Sequence, residues 1–215
     1  MRSAAGVVAT LAAVLASAGD LLLLAVANGI DPALAAGGTL RPAALVAGYY
    51  LGVLAIPLYA LGYWHVGRRL PLPYRRVVTV LGACGAVVGA TIHGVTGMAI
   101  ATLQVPTAAG GVEALRPLAA YLAPLWTIIA LATLVGSAAF VLPVVRGEST
   151  YPRWLALANP IVVMVAICAC AAVSPTAATL LVPASPNLAH VLFFALTASK
   201  TDTLPTDEAR ERRAG

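Results

Sequence analysis

Five stretches of this chain, residues 4–30, 42–66, 77–103, 118–145 and 154–173, are apolar runs of span length, and a sixth candidate lies near the end. A bilayer core of roughly 30 Å takes about 20 helical residues to cross. At that depth every backbone N–H and C=O must be bonded within the segment, so only helices and closed barrels survive. Runs of this length, apolar on every face, therefore predict an all-α fold, a polytopic membrane helical bundle. Composition agrees: 60% of residues are apolar, 10% are charged and the mean hydropathy is +0.92, too little charge to cover a soluble surface. The last segment breaks the pattern, because residues 187–199 alone are short for a span. Either a broken segment starts near Ala177 and bends at Pro183 and Pro186, or a half-length helix begins inside the protein. The expectation is six transmembrane segments, the sixth short or broken, in one domain over residues 1–200 with a short solvated tail over 201–215.

Six spans divide the basic residues eleven against two. Arg2, Arg68, Arg69, Arg75, Arg76, Arg146, Arg153, Lys200, Arg210, Arg212 and Arg213 fall on one side, Arg41 and Arg116 on the other. By the positive-inside rule this predicts a multi-pass protein of the cell membrane with both termini cytoplasmic. The net charge of +5 then reflects arginines that orient the chain and meet lipid headgroups, not a nucleic-acid partner. Trp64, Tyr74, Tyr151 and Trp154 are expected in the inner aromatic belt. Met1-Arg2, an apolar run and Ala16-Ser17-Ala18 also resemble a cleaved signal peptide. The run continues through Asp20 to Ile30, which favours a retained first helix.

Asp20 is the one acidic residue well inside an apolar stretch. A charge there costs at least ~2.5–3.5 kcal/mol on insertion scales, so it reads as functional and in need of a partner. At a rise of about 1.5 Å per residue, Asp20 and His93 come out at similar depth in the outer half. His190 falls near the middle, Asn187 above it, and Asn28 near the outer mouth. Tyr49, Tyr50, Tyr121 and Trp126 also reach the outer half, where they could line a substrate site. His65 falls at the inner interface and is set aside. Gly85, Gly89, His93, Gly97 and Ala101 recur every four residues, a small-residue stripe that lets helices approach and could pair two copies of the chain. Ser17 shares the face of Asp20 and could help satisfy it, and Thr96 lies one turn from His93.

Plainer readings stand beside these. Asp20 and His93 could satisfy each other with no chemistry. His190 could stabilise the break near Pro186, and Asn187 is well placed to cap a helix that starts after it. Asn159-Pro160 reads as a kink. Cys84, Cys168 and Cys170 sit in apolar segments and read as structural thiols, with no disulfide framework and no metal site. Phosphate-cradling glycine loops, zinc-binding His-Glu-x-x-His and Gly-x-Ser-x-Gly elbows are absent, and one embedded acid cannot form the paired Asp-rich motifs of magnesium-dependent prenyl chemistry.

A carboxyl desolvated in hydrocarbon tends to keep its proton, which suits a general acid, and aromatic faces can stabilise a developing cation. Acid-initiated cyclisation or isomerisation of an isoprenoid needs these parts and no cofactor. In its length, its multiple spans and the embedded Asp20, the chain resembles the small membrane-bound terpene cyclases of bacterial and fungal meroterpenoid pathways. The resemblance implies a cyclase or isomerase on a lipophilic small molecule, with Asp20 as the protonating acid and His93 or His190 as its partner. This chain departs from the fungal members in lacking a second intramembrane acid. Two other classes remain open: a proton-coupled small-molecule transporter built on the Asp–His pair, and a non-catalytic membrane subunit. An aromatic-lined apolar pocket touching Asp20 would favour the enzyme, a wet path to both faces the carrier, and close packing the subunit.

Overall fold

The computed structural model describes residues 3–27, 40–102 and 116–199. Asn28 and the proposed tail over 201–215 lie outside them. The described residues form seven α-helices: α1 (Ala4–Ala27), α2 (Leu40–Ala55), α3 (Tyr59–Gly67), α4 (Leu72–Thr102), α5 (Arg116–Arg146), α6 (Pro160–Ala171) and α7 (Pro175–Ala198). A 3-10 turn over Ile56–Leu58 joins α2 to α3, so Pro42–Gly67 runs as one apolar span. Among the described residues, five helical stretches are long and apolar enough to cross a membrane, the architecture of a multi-pass helical membrane protein.

The expectation of six spans with a short sixth is corrected in two places. The sixth segment is one continuous helix, α7, with Pro183 and Pro186 inside it. Pro186 has no N–H to give the Val182 carbonyl, and the Ser185 hydroxyl donates to that carbonyl instead at 2.7 Å, so the helix continues through the proline. The short segment is the fifth. Residues 153–158 wind as a 3-10 turn, and α6 has only 12 residues, about 18 Å of rise. Asn159 starts α6 rather than kinking it: its side-chain oxygen accepts from the N–H groups of Ile161 and Val162, with Pro160 in the first helical position. Ser174 and Pro175 start α7 in the same manner, which folds α6 back along α7 as a helical hairpin.

Helix α1 shows how the bundle is packed. Ala9, Ala12, Ala13 and Ala16 are buried, whereas Leu11, Val14 and Leu15 are exposed. Small residues face inward and large apolar ones outward, the reverse of a soluble helix and the pattern expected where lipid, not water, surrounds the fold. Asp20, four residues after Ala16, inherits the inward face. Helix α1 packs against α2, α3 and α7; α4 packs against α2, α3 and α5; α6 lies on α7 and meets α5 only lightly. The helices thus form a ring whose weakest seam lies between α5 and the α6–α7 hairpin.

Helices α1 and α2 meet backbone to backbone, where a Cβ on Gly19 would stand 2.8 Å from the Gly48 carbonyl oxygen and 3.1 Å from the Gly52 nitrogen. At the opposite end of the bundle, α5 stops at Gly147 (φ +74), with Gly147 N–H bonding the Val144 carbonyl and Glu148 N–H that of Pro143, a Schellman stop. The arginines there use aromatic rings: Arg68 lies 5.0 Å over Trp64, Arg69 lies 5.5 Å over Tyr151 and Arg146 donates to Tyr74. Trp64 and Trp154 are about half exposed, but Tyr151 is only 3% exposed and packs on Phe140. It belongs to the core, not to the expected belt, because the 3-10 turn that follows it lies against α5, α6 and α7.

Replacing Gly19 by Ala should destabilise the bundle by about 1–3 kcal/mol, since two backbones must separate. Gly136→Ala, with nothing within 4 Å of its Cβ, should leave the melting temperature in detergent unchanged. Equal melting of the two variants would contradict the α1–α2 contact.

Candidate functional site

Asp20 is held from two sides. One oxygen (Oδ1) lies 3.0 Å from His93 Nδ1, and the other (Oδ2) accepts from the Asn187 amide nitrogen at 2.6 Å. Asn187 in turn accepts from the Tyr59 hydroxyl at 2.8 Å. The far nitrogen of His93, Nε2, lies 3.0 Å from the Gly48 carbonyl. A carbonyl only accepts, so Nε2 carries a proton. One further proton then lies between Nδ1 and Oδ1, on either atom, and the Asp20–His93 pair is neutral in both arrangements. Five helices contribute to this line: Gly48 from α2, His93 from α4, Asp20 from α1, Asn187 from α7 and Tyr59 from the start of α3.

The position of His93 depends on glycine. Gly52 stands directly beside the imidazole, and a Cβ there would overlap Nε2. Gly48 and Gly52, four residues apart on α2, thus serve two neighbours: they admit α1 on one side and the His93 ring on the other.

A second pair lies alongside. His190 Nδ1 donates to the Pro186 carbonyl at 2.6 Å, which leaves Nε2 of the neutral ring to accept from the Tyr63 hydroxyl, also at 2.6 Å. The His190 ring stacks on Tyr59 with centroids 4.8 Å apart, and Phe193 and Phe194 complete the aromatic cluster. Both pairs open onto one cavity of about 240 Å³. Its walls are otherwise nearly all apolar or small: Ile56, Gly82, Gly85, Gly89, Trp126 and Phe140 among them.

Of the residues expected at the site, Asp20, His93, Asn187, His190 and Trp126 line this cavity. Tyr49, Tyr50 and Tyr121 do not. Tyr49 packs its ring against Gly94 and Gly97, Tyr50 is 54% exposed and Tyr121 is 81% exposed, pointing away from the bundle. Depth alone placed these three, and depth says nothing about which side of a helix faces inward. Asn187 caps no helix, since it lies in the middle of α7. Ser17 bonds the Ala13 carbonyl rather than Asp20. Thr96 lines the cavity, and Cys168 lies 3.6 Å from the Ser185 hydroxyl. The Gly85/Gly89/Gly97 stripe faces inward: Gly85 and Gly89 line the cavity, and Gly97 receives Tyr49 and Leu23. Tyr59 and Tyr63 were missed. Their spacing of four residues puts both on one helix face, the signal in the sequence that could have found them. Among the described residues, no three His, Cys, Asp or Glu side chains gather to hold a metal ion.

Fold and site together define a class: a multi-pass helical protein with an acid–imidazole–amide line and a tyrosine–imidazole pair around one apolar internal cavity. More narrowly, the chain belongs to the Family of unknown function (DUF6796), which matches residues 2–201. No curated protein and no solved structure matches it.

If Asp20 and His93 share a proton as described, Asp20→Asn and His93→Gln should be non-additive. A double-mutant cycle on unfolding in detergent should give a coupling of about 0.5–3 kcal/mol. Additive losses would mean that the two side chains do not interact.

Proposed function

We propose that this protein is an integral membrane enzyme that acts on a lipophilic, isoprenoid-like substrate by general-acid chemistry inside the bilayer, such as protonation-initiated cyclisation or isomerisation. The observation that carries the reading is that the hydrogen-bonded Asp20–His93 pair lines an apolar, aromatic-walled cavity rather than being enclosed by packed side chains. A subunit that used the pair only as structural glue would have no need of that space.

In the step envisaged, the shared proton adds to a terminal alkene carbon. The π electrons form the new C–H bond and leave the neighbouring carbon cationic, where a second double bond can close on it. The faces of Tyr59, Trp126 and Phe140 stabilise that charge. An alkene is regenerated when carbon loses a proton to the Tyr63 oxygen while the Tyr63 proton passes to His190 Nε2. One proton enters the substrate and one leaves, so the reaction is a net isomerisation. Between turnovers the proton returns from His190 to Asp20 through water. On this reading both termini are cytoplasmic, as the distribution of arginines suggests.

A carrier is the second reading, favoured by the presence of two proton-bearing pairs on one cavity. The two separate in one experiment. Vesicles containing the protein are incubated in D2O with geranylated and farnesylated acceptors. The enzyme reading expects one carbon-bound deuterium per product and a loss of roughly 10²–10⁴-fold in Asp20→Asn. Full product formation by Asp20→Asn would remove Asp20 from the chemistry, and substrate-driven proton flux without product would favour the carrier.

A further inference from the structure

The central cavity is smaller than most ligand sites, about 240 Å³ against the usual range of roughly 300–1,000 Å³, yet it is not closed on all sides. At the seam between α5 and the α6–α7 hairpin lies a second, shallower hollow of about 540 Å³. Trp126, Pro183 and Pro186 line both spaces, so the two adjoin across these three side chains. The hollow's remaining walls are chiefly apolar, Met164, Val165, Ala169 and Val182 among them. Its hydroxyl and one thiol are engaged with each other and with backbone: Ser185 donates to Val182, and Cys168 lies against Ser185. Nothing on those side chains invites a charged or strongly polar group. The seam is also where the ring of helices is least tightly packed.

We infer that the α5/α6–α7 seam is the lateral port and tail-binding groove of the same site. The substrate is then an amphiphile whose reactive end occupies the central cavity at Asp20 while the rest of its hydrocarbon chain passes Trp126 and lies along α6 and α7. The inference rests on the central cavity being a substrate site, and it sets the substrate class: a prenyl chain longer than the cavity holds, entering from the bilayer rather than from water. A short chain would be held in the cavity alone. Because the chain leaves lipid rather than water, its preference for the groove comes from close fit against α6 and α7 and not from hydrophobic transfer.

The test uses diazirine-tagged ten-carbon geraniol and twenty-carbon geranylgeraniol, each with the tag on the hydroxyl-bearing isoprene unit, the one farthest from the alkene that is protonated, photolysed with the purified full-length protein in lipid vesicles. The long probe should label peptides of α6 and the middle of α7, and Ala169→Trp or Val165→Trp should reduce that labelling about tenfold or more. Both positions are exposed and lie outside the packed core, so either variant should fold. The short probe should label the central cavity and be insensitive to both. Leu54→Trp, on an exposed face of α2 away from the seam, should leave both patterns unchanged. Labelling spread evenly over exposed faces, or an α6–α7 pattern indifferent to both tryptophans, would show ordinary lipid contact and overturn the groove. Asp20→Asn separates the two proposals: groove labelling that persists while product formation is absent from every protein tested would sink the chemistry and keep the port.

Discussion

The fold is built around the problem of keeping one carboxyl group among apolar helices. An unpaired charge there is expensive, and removing one partner of a buried pair typically costs about 3–5 kcal/mol. Asp20 is kept by two hydrogen-bond partners from different helices, His93 on α4 and Asn187 on α7, and each is itself fixed, His93 by the Gly48 carbonyl and Asn187 by Tyr59. The polar line ties α1, α2, α3, α4 and α7 to one another. Where apolar packing alone would allow helices to slide, these directional bonds select one register.

The glycines and alanines make that line reachable. Without a hydrophobic effect between helices in lipid, association depends on close contact, and side chains of α1 and α2 larger than hydrogen or methyl would hold the backbones apart. Gly19, Gly48 and Gly52 bring α1 and α2 together and clear a slot for the imidazole in the same few residues. On the other side of the site one glycine of α4 and one of α5 do the opposite. Gly85 and Gly136 have no neighbour within 4 Å of a would-be Cβ, and both line the cavity. Small residues therefore create contact at one wall and emptiness at the other, and the combination leaves a space with a proton source at its edge.

Much of this was legible in the sequence. Apolar length fixed the helical class, and the isolation of Asp20 among hydrocarbon residues pointed to the site. Counting depth along the helices brought out His93 and Asn187, because height in a bilayer is nearly one-dimensional. Rotation about each helix axis was not legible by that count, which is why Tyr49, Tyr50 and Tyr121 were drawn in while Tyr59 and Tyr63 were left out. With lipid outside and protein inside both apolar, α5 and α6 offer no polar face to show which side turns inward. The interrupted fifth segment was hidden for a related reason. Residues 154–173 are apolar enough to cross, and only the capping chemistry of Asn159-Pro160, read as a kink, showed that a new helix starts there. The prolines of α7 misled in the other direction, since Ser185 supplies the bond that Pro186 cannot.

The central claim is that the Asp20 carboxyl and the His93 imidazole hold one proton between them beside an open space. Solid-state NMR on protein labelled with ¹⁵N-histidine and ¹³C-aspartate, in bilayers, reads this directly, with His93→Gln assigning the resonance. A close contact between Nδ1 and the Asp20 carboxyl carbon is expected, together with a protonated Nε2. An Asp20 carboxyl with no histidine nitrogen near it, or a His93 whose Nε2 carries no proton, would contradict the arrangement on which the rest stands.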